Sequence, residues 1–163
     1  MIELRDATSP GGATGGTMKD EKAAFILKDG SIVATDGMSM PKSYATFTND
    51  PYIIIWHTNH LGVLSNYSLT PVGLGVYSYD FTTGSGQAYL NGQKDLGGGI
   101  YGMLGGDGYP DEFIDDLDKD LWTTQAGSAG LKASDYNMDT QVDNKDKNDV
   151  WVPNDGKGTK VPD

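Results

Sequence analysis

The stretch DYNMDTQVDNKDKN, residues 135–148, lies over DGYPDEFIDDLDKD, residues 107–120, without a gap, a repeat of 28 residues. Counted from the first aspartate, each copy has an acid at positions 1, 5, 9 and 12. Each has a β-branched apolar residue at position 8, Ile114 and Val142, and a tryptophan soon after position 12, Trp122 and Trp151. Calcium takes six to eight oxygens at about 2.3–2.6 Å, and a 12-residue loop can wrap it. Positions 1, 3 and 5 of such a loop present side chains, and position 7 a backbone carbonyl. Position 9 often acts through water, and position 12 closes the shell with a bidentate carboxylate.

Acidic segments spotted with lysine are often merely solvated. Two in register, each followed by an aromatic, favour calcium instead. The residue at position 8 points away from the metal, so Ile114 and Val142 are expected to pair across a short β-bridge. Leu121, Trp122, Val150 and Trp151 would complete a small core from short exit helices. Loop 2 is the better match. Loop 1 has Tyr109 at position 3, where an oxygen from Asp or Asn is wanted, followed by Pro110. Water in place of one ligand, or weaker binding, is the expected consequence. Neither loop has glycine at position 6, where Glu112 and Thr140 stand.

Charge follows the same division. The chain carries 23 Asp and Glu against 12 Lys and Arg, a net of -11. Residues 107–163 account for -8 of it, whereas 18 of the 23 glycines precede them. Such a chain lacks the basic face that nucleic acid or an anionic membrane would require. The first region is therefore taken as residues 1–106 and the second as 107–163. The second is poor in large apolar side chains and would be marginal alone, so metal binding and folding should be coupled. No cysteine is present to supply a disulfide or a thiolate ligand. The opening MIELRDATSP has neither the basic nor the apolar part of a signal peptide. The chain is thus cytosolic, or a mature form or fragment whose export signal lies elsewhere. No apolar run is long enough to insert in a membrane.

Residues 1–106 read as strands. AAFILK (23–28) and SIVA (31–34) flank Asp29-Gly30, a hairpin signal, because a type I′ turn needs positive φ at both central residues. YATFT (44–48) and VYSYDF (76–81) alternate with period two. YIIIWH (52–57) is a continuous β-branched and aromatic run, the mark of a strand buried on both faces. Asn91-Gly92 suggests another hairpin, and the glycines at 97–99 a bend. Seven or eight short strands predict a mainly β chain: an antiparallel, immunoglobulin-like sandwich followed by a paired calcium-loop module of EF-hand type.

The paired loops, with Asp rather than Glu at position 12, resemble type I dockerins. The wider stretch from DDLDKDLWTTQAG to NDGKGTKVP resembles the carboxy-terminal calcium-binding region of large secreted proteins of Bacteroidetes. IELRDA, ILKDGSIVATDG and WHTNHLGVLS resemble the β-rich module that precedes it, so the likeness covers most of the chain. It implies two Ca²⁺ ions. One would be held by Asp135, Asn137, Asp139, Asp146 and the Gln141 carbonyl, with Asp143 at position 9. The other would be held by Asp107, Asp111, Asp118 and the Phe113 carbonyl, with Asp115 at position 9. It also implies an extracellular or cell-surface location, where calcium is abundant. Cohesin binding is not expected, because the exit segments are short and Val152-Pro153 stops the second.

No nucleophile elbow, phosphate loop or Ser/His/Asp order is present, and the clustered acids are accounted for by calcium, so no enzymatic activity is expected. His57 and His60 are read as hydrogen-bonded imidazoles at a strand end rather than a zinc site. They would project to opposite faces unless the chain turns at Thr58-Asn59. The expected role is structural or adhesive, with self-association into a homo-oligomer or surface fibre through exposed sheet edges. A carbohydrate-binding module is the alternative, since nine Tyr and three Trp could stack on a glycan, although core and strand packing accounts for most of them.

Overall fold

The computed structural model describes residues 1–163 and is mainly β, built of small antiparallel sheets with two short helices. Its strands are β1 (Ile2–Ala7), β2 (Met18–Lys22), β3 (Phe25–Ile26), β4 (Ile32–Val33) and β5 (Asp50–His57). They continue with β6 (His60–Leu64), β7 (Thr70–Gly73), β8 (Val76–Ser78), β9 (Lys94–Gly97) and β10 (Ile100–Gly102). The helix α1 spans Asp116–Gln125. A second helix is π-helical over Asp146–Trp151 and ends on one α turn, Val152–Asn154.

Four strands form one sheet in the order β2-β1-β5-β6, and the other six form three two-stranded ribbons, β3–β4, β7–β8 and β9–β10. An immunoglobulin-like sandwich would need a second extended sheet facing the first. Here both faces of the single sheet are covered by smaller pieces. Tyr52 and Ile54 of β5 join Ala7, Ala13, Leu64 and Val161 in one buried cluster, while Ile55 joins Ile2 and Val63 in another. Ile32, Phe81 and Met103 pack against the latter. Strand β5 is therefore buried alternately on two sides, as its unbroken apolar run implied.

Asp29-Gly30 lies in the turn that joins β3 to β4, with Gly30 at φ 85°. Two other expectations fail. Residues 44–48 form no strand, because the Thr48 and Asn49 N–H groups donate to the Asp6 carboxylate, at 2.9 and 2.7 Å, instead of to a neighbouring strand. Asn91-Gly92 closes a 3₁₀ turn over Tyr89–Asn91 rather than opening a hairpin. The glycines at 98 and 99 turn the chain between β9 and β10.

The acidic region is joined to the sheet through a shared core. Leu61 and Leu104 pack with Ile114, Tyr136 and Trp151 in one buried cluster. After the second helix the chain returns to the sheet. Thr159 Oγ1 donates to the Gly62 carbonyl at 2.9 Å, and Val161 enters the cluster around Ile54. Arg5 Nη1 donates to the Pro162 carbonyl at 2.6 Å. The β6 edge is occupied as well, since Leu61 N–H donates to the Leu104 carbonyl at 2.8 Å. The opposite edge, β2, carries the charged run Lys19-Asp20-Glu21-Lys22, a usual guard against edge-to-edge pairing.

Candidate metal centre

Both loops close by the same set of hydrogen bonds. The position-12 carboxylate of loop 1, Asp118, is fully buried and accepts from the N–H groups of positions 3 and 9, Tyr109 at 2.9 Å and Asp115 at 2.8 Å. In loop 2, Asp146 is equally buried and accepts from Asn137 at 3.1 Å and Asp143 at 2.8 Å. Position 5 accepts from the N–H of position 7, as Asp111 from Phe113 and Asp139 from Gln141. Position 9 accepts from the N–H two residues on, Asp115 from Leu117 at 2.8 Å and Asp143 from Lys145 at 2.6 Å, and Asp115 thereby caps α1. Asp115 and Asp118 complete a reciprocal capping box.

Backbone geometry repeats too. Glu112 and Thr140, at position 6, both lie at φ 72°. This is the left-handed region that a tight metal-binding loop demands and that glycine adopts without cost. Position 8 carries a correction. Ile114 and Val142 do not pair with each other; each pairs with the segment leaving the other repeat's helix. Ile114 N–H donates to the Lys157 carbonyl and Gly156 N–H to the Ile114 carbonyl, both at 2.8 Å. Val142 N–H donates to Ser128 at 2.9 Å, and Gly127 N–H to Val142 at 2.8 Å. The position-7 carbonyls, of Phe113 and Gln141, accept no hydrogen bond from the chain. Ile114 and Trp151 are core residues and Trp122 and Val150 pack beside them, but Leu121 stays outside that cluster.

Position 1 distinguishes the loops. Asp135 is satisfied, with Oδ1 accepting from Asp139 N–H at 3.0 Å and Oδ2 from Thr140 N–H at 2.9 Å. In loop 1 the equivalent Asp111 N–H turns to the Tyr109 carbonyl at 2.7 Å. Asp107 Oδ1 is left buried without a partner, on a residue only 6% exposed. Burial, then the Asp118 and Asp111 carboxylates, push Asp107 up to about 7. Burial likewise raises Asp118 and Asp135 above the usual carboxylate range. No three acidic or imidazole side chains converge on one point, because the carboxylates rest on the loops' own N–H groups. The donor set is nevertheless all hard oxygen, with one acceptor orphaned and two carbonyls free. That is the chemistry a divalent cation of the calcium type satisfies.

Tyr136, at position 2 of loop 2, links the loops by donating its hydroxyl to the Asp118 carbonyl at 2.8 Å. A Cβ on Gly108, at position 2 of loop 1, would sit 2.8 Å from the Tyr136 ring, so glycine is required there. The histidine cluster proves to be a turn. His57 and His60 pair across the tip of β5–β6, and both imidazole Nδ1 atoms contact Asn59 Oδ1, at 3.1 and 2.8 Å. Asn59 Nδ2 then donates to the Asp135 carbonyl at 2.6 Å, tying the sheet to position 1 of loop 2. No spacing in the sequence points to that contact. No protein-family model, no curated protein and no solved structure matches the chain.

Proposed function

We propose that this chain is a non-catalytic, calcium-stabilised structural module of an extracellular or cell-surface protein. It binds two Ca²⁺ ions, one in each loop of a dockerin-like pair spanning residues 107–163. The observation that carries the reading is the buried Asp107 Oδ1 of loop 1, left unpartnered inside a hydrogen-bonded closure that loop 2 repeats. Asp107, Asp111, Asp115, Asp118 and the Phe113 carbonyl would hold one ion. Asp135, Asn137, Asp139, Asp143, Asp146 and the Gln141 carbonyl would hold the other. The ions neutralise crowded carboxylates, and because the loops share a core with the sheet, their binding energy becomes folding energy. Titration calorimetry should give two ions per chain. A chelator that leaves the heat released by added calcium and the thermal midpoint unchanged would overturn the reading.

Self-association is the second part of the proposal, and it falls on the ribbons, because both edges of the main sheet are guarded. Val72, Leu74 and Tyr77 on β7–β8, and Leu96 and Ile100 on β9–β10, are all exposed. Leu74 projects into solvent at the hairpin tip with φ 50°. These side chains would supply the apolar contact of a self-association surface. Sedimentation velocity on the wild type and on Leu74→Asp tests it: a monomeric wild type would remove this part alone.

A further inference from the structure

We infer that each tryptophan serves the loop of the other repeat, so that the two loops take up calcium as one coupled unit. Trp122, which leaves loop 1, positions loop 2; Trp151, which leaves loop 2, positions loop 1. This rests on the calcium reading above. The Trp122 indole N–H donates to the Asp143 carbonyl at 2.8 Å, and the Trp151 indole N–H to the Asp115 carbonyl at 3.1 Å. Both carbonyls belong to position 9. The lysine at position 13 of the served loop covers the same ring: Lys147 lies 4.6 Å from the Trp122 ring centre and Lys119 5.7 Å from that of Trp151. With position 8 paired to the segment after the other helix, positions 8 and 9 of each loop are held by the opposite repeat.

The helices are shaped to make this exchange. Trp122 follows position 12 by four residues and Trp151 by five, so a regular α-helix would turn Trp151 about 100° off the matching direction. The π-helical turn over Asp146–Trp151 takes up the extra residue and returns the indole to the equivalent place. The same offset carries through the bonds beyond it, since Gly127 and Ser128 correspond to Gly156 and Lys157 in pairing with position 8. An isolated π turn is poorly stable and usually persists where a contact requires it; the contact here is the brace to loop 1.

Trp122→Phe and Trp151→Phe keep an aromatic ring but lose the indole N–H with the five-membered ring that carries it. Residue-resolved ¹⁵N amide spectra during calcium titration read the loops separately, through 109–115 for loop 1 and 137–143 for loop 2. Trp122→Phe should weaken calcium binding at loop 2 about fivefold, the worth of one lost hydrogen bond near 1 kcal/mol, with loop 1 following by a smaller factor. Trp151→Phe should do the converse. A variant that weakens its own repeat's loop more than the opposite one would overturn the inference. If the wild-type spectra do not respond to calcium at all, it is the calcium reading that falls. Should either variant not fold, Asp118→Asn and Asp146→Asn carry the test. With loop 1 disabled, calcium should shift the Trp122 indole signal more than that of Trp151, and with loop 2 disabled the order should reverse. The opposite order in either variant would refute the exchange.

Discussion

Position 6 offers a direct test of the loop geometry. Glu112 and Thr140 are held at φ 72°, where an L-residue bears a cost of roughly 1–2 kcal/mol. Thr140 should sit at the upper end, because its branched Cβ crowds the backbone most. Replacement by glycine removes that cost and adds about 0.5–1 kcal/mol of unfolded-state entropy. With Thr140 near the 2 kcal/mol end, a net gain of roughly 1–1.5 kcal/mol follows for Thr140→Gly, and less for Glu112→Gly. The backbone bonds survive the change: Thr140 N–H still donates to Asp135 Oδ2, and the Glu112 carbonyl still accepts from Thr159 N–H. For a chain of this size the gain corresponds to a rise of about 2–6 °C in thermal midpoint. Circular-dichroism melts in chelator and in calcium are the assay, with Thr140→Ala as the control that retains the Cβ. If Thr140→Gly melts no higher than Thr140→Ala, the left-handed position is not strained and the loop geometry argued from it is wrong.

Three further outcomes are expected. Asn59→Ala strands the Asp135 carbonyl and two imidazole Nδ1 atoms in a region where Asn59 is 4% exposed; urea unfolding should show a loss of about 2–4 kcal/mol, and a loss below 1 would remove the hairpin turn as a link to loop 2. Val161→Ala, at the end of the returning tail, should cost about 1–2 kcal/mol and make residues 156–163 more open to proteolysis; an unchanged cleavage pattern would show that the tail is not anchored there. Burial, and then the neighbouring His57, hold His60 down at about 4 from an ordinary 6.5. The unfolded chain therefore takes up a proton first as pH falls. This contribution is complete above about pH 6.5 and declines toward pH 4, by about 3 kcal/mol relative to His60→Gln. Parallel stability curves for wild type and variant would contradict a half-buried imidazole held neutral.

The gapless repeat of acids made both loops, their closing carboxylates at Asp118 and Asp146, and the position-8 core residues legible in the sequence, because the hydrogen bonds that close a short loop depend on local spacing. The unbroken apolar run of β5 announced its two-sided burial for a similar local reason. The rest depends on contacts between distant residues, which no period records. The carboxylate of Asp6 draws residues 48 and 49 away from strand pairing, Ile114 and Val142 exchange partners with the tails of opposite helices, and Asn59 reaches Asp135 across the fold. The extra residue before Trp151 was visible as a change from 28 to 29 in the spacing. Only packing could give it meaning. An α-helix would have carried the indole away from Asp115, and the tertiary fold converts one turn to π geometry so that the hydrogen bond is made.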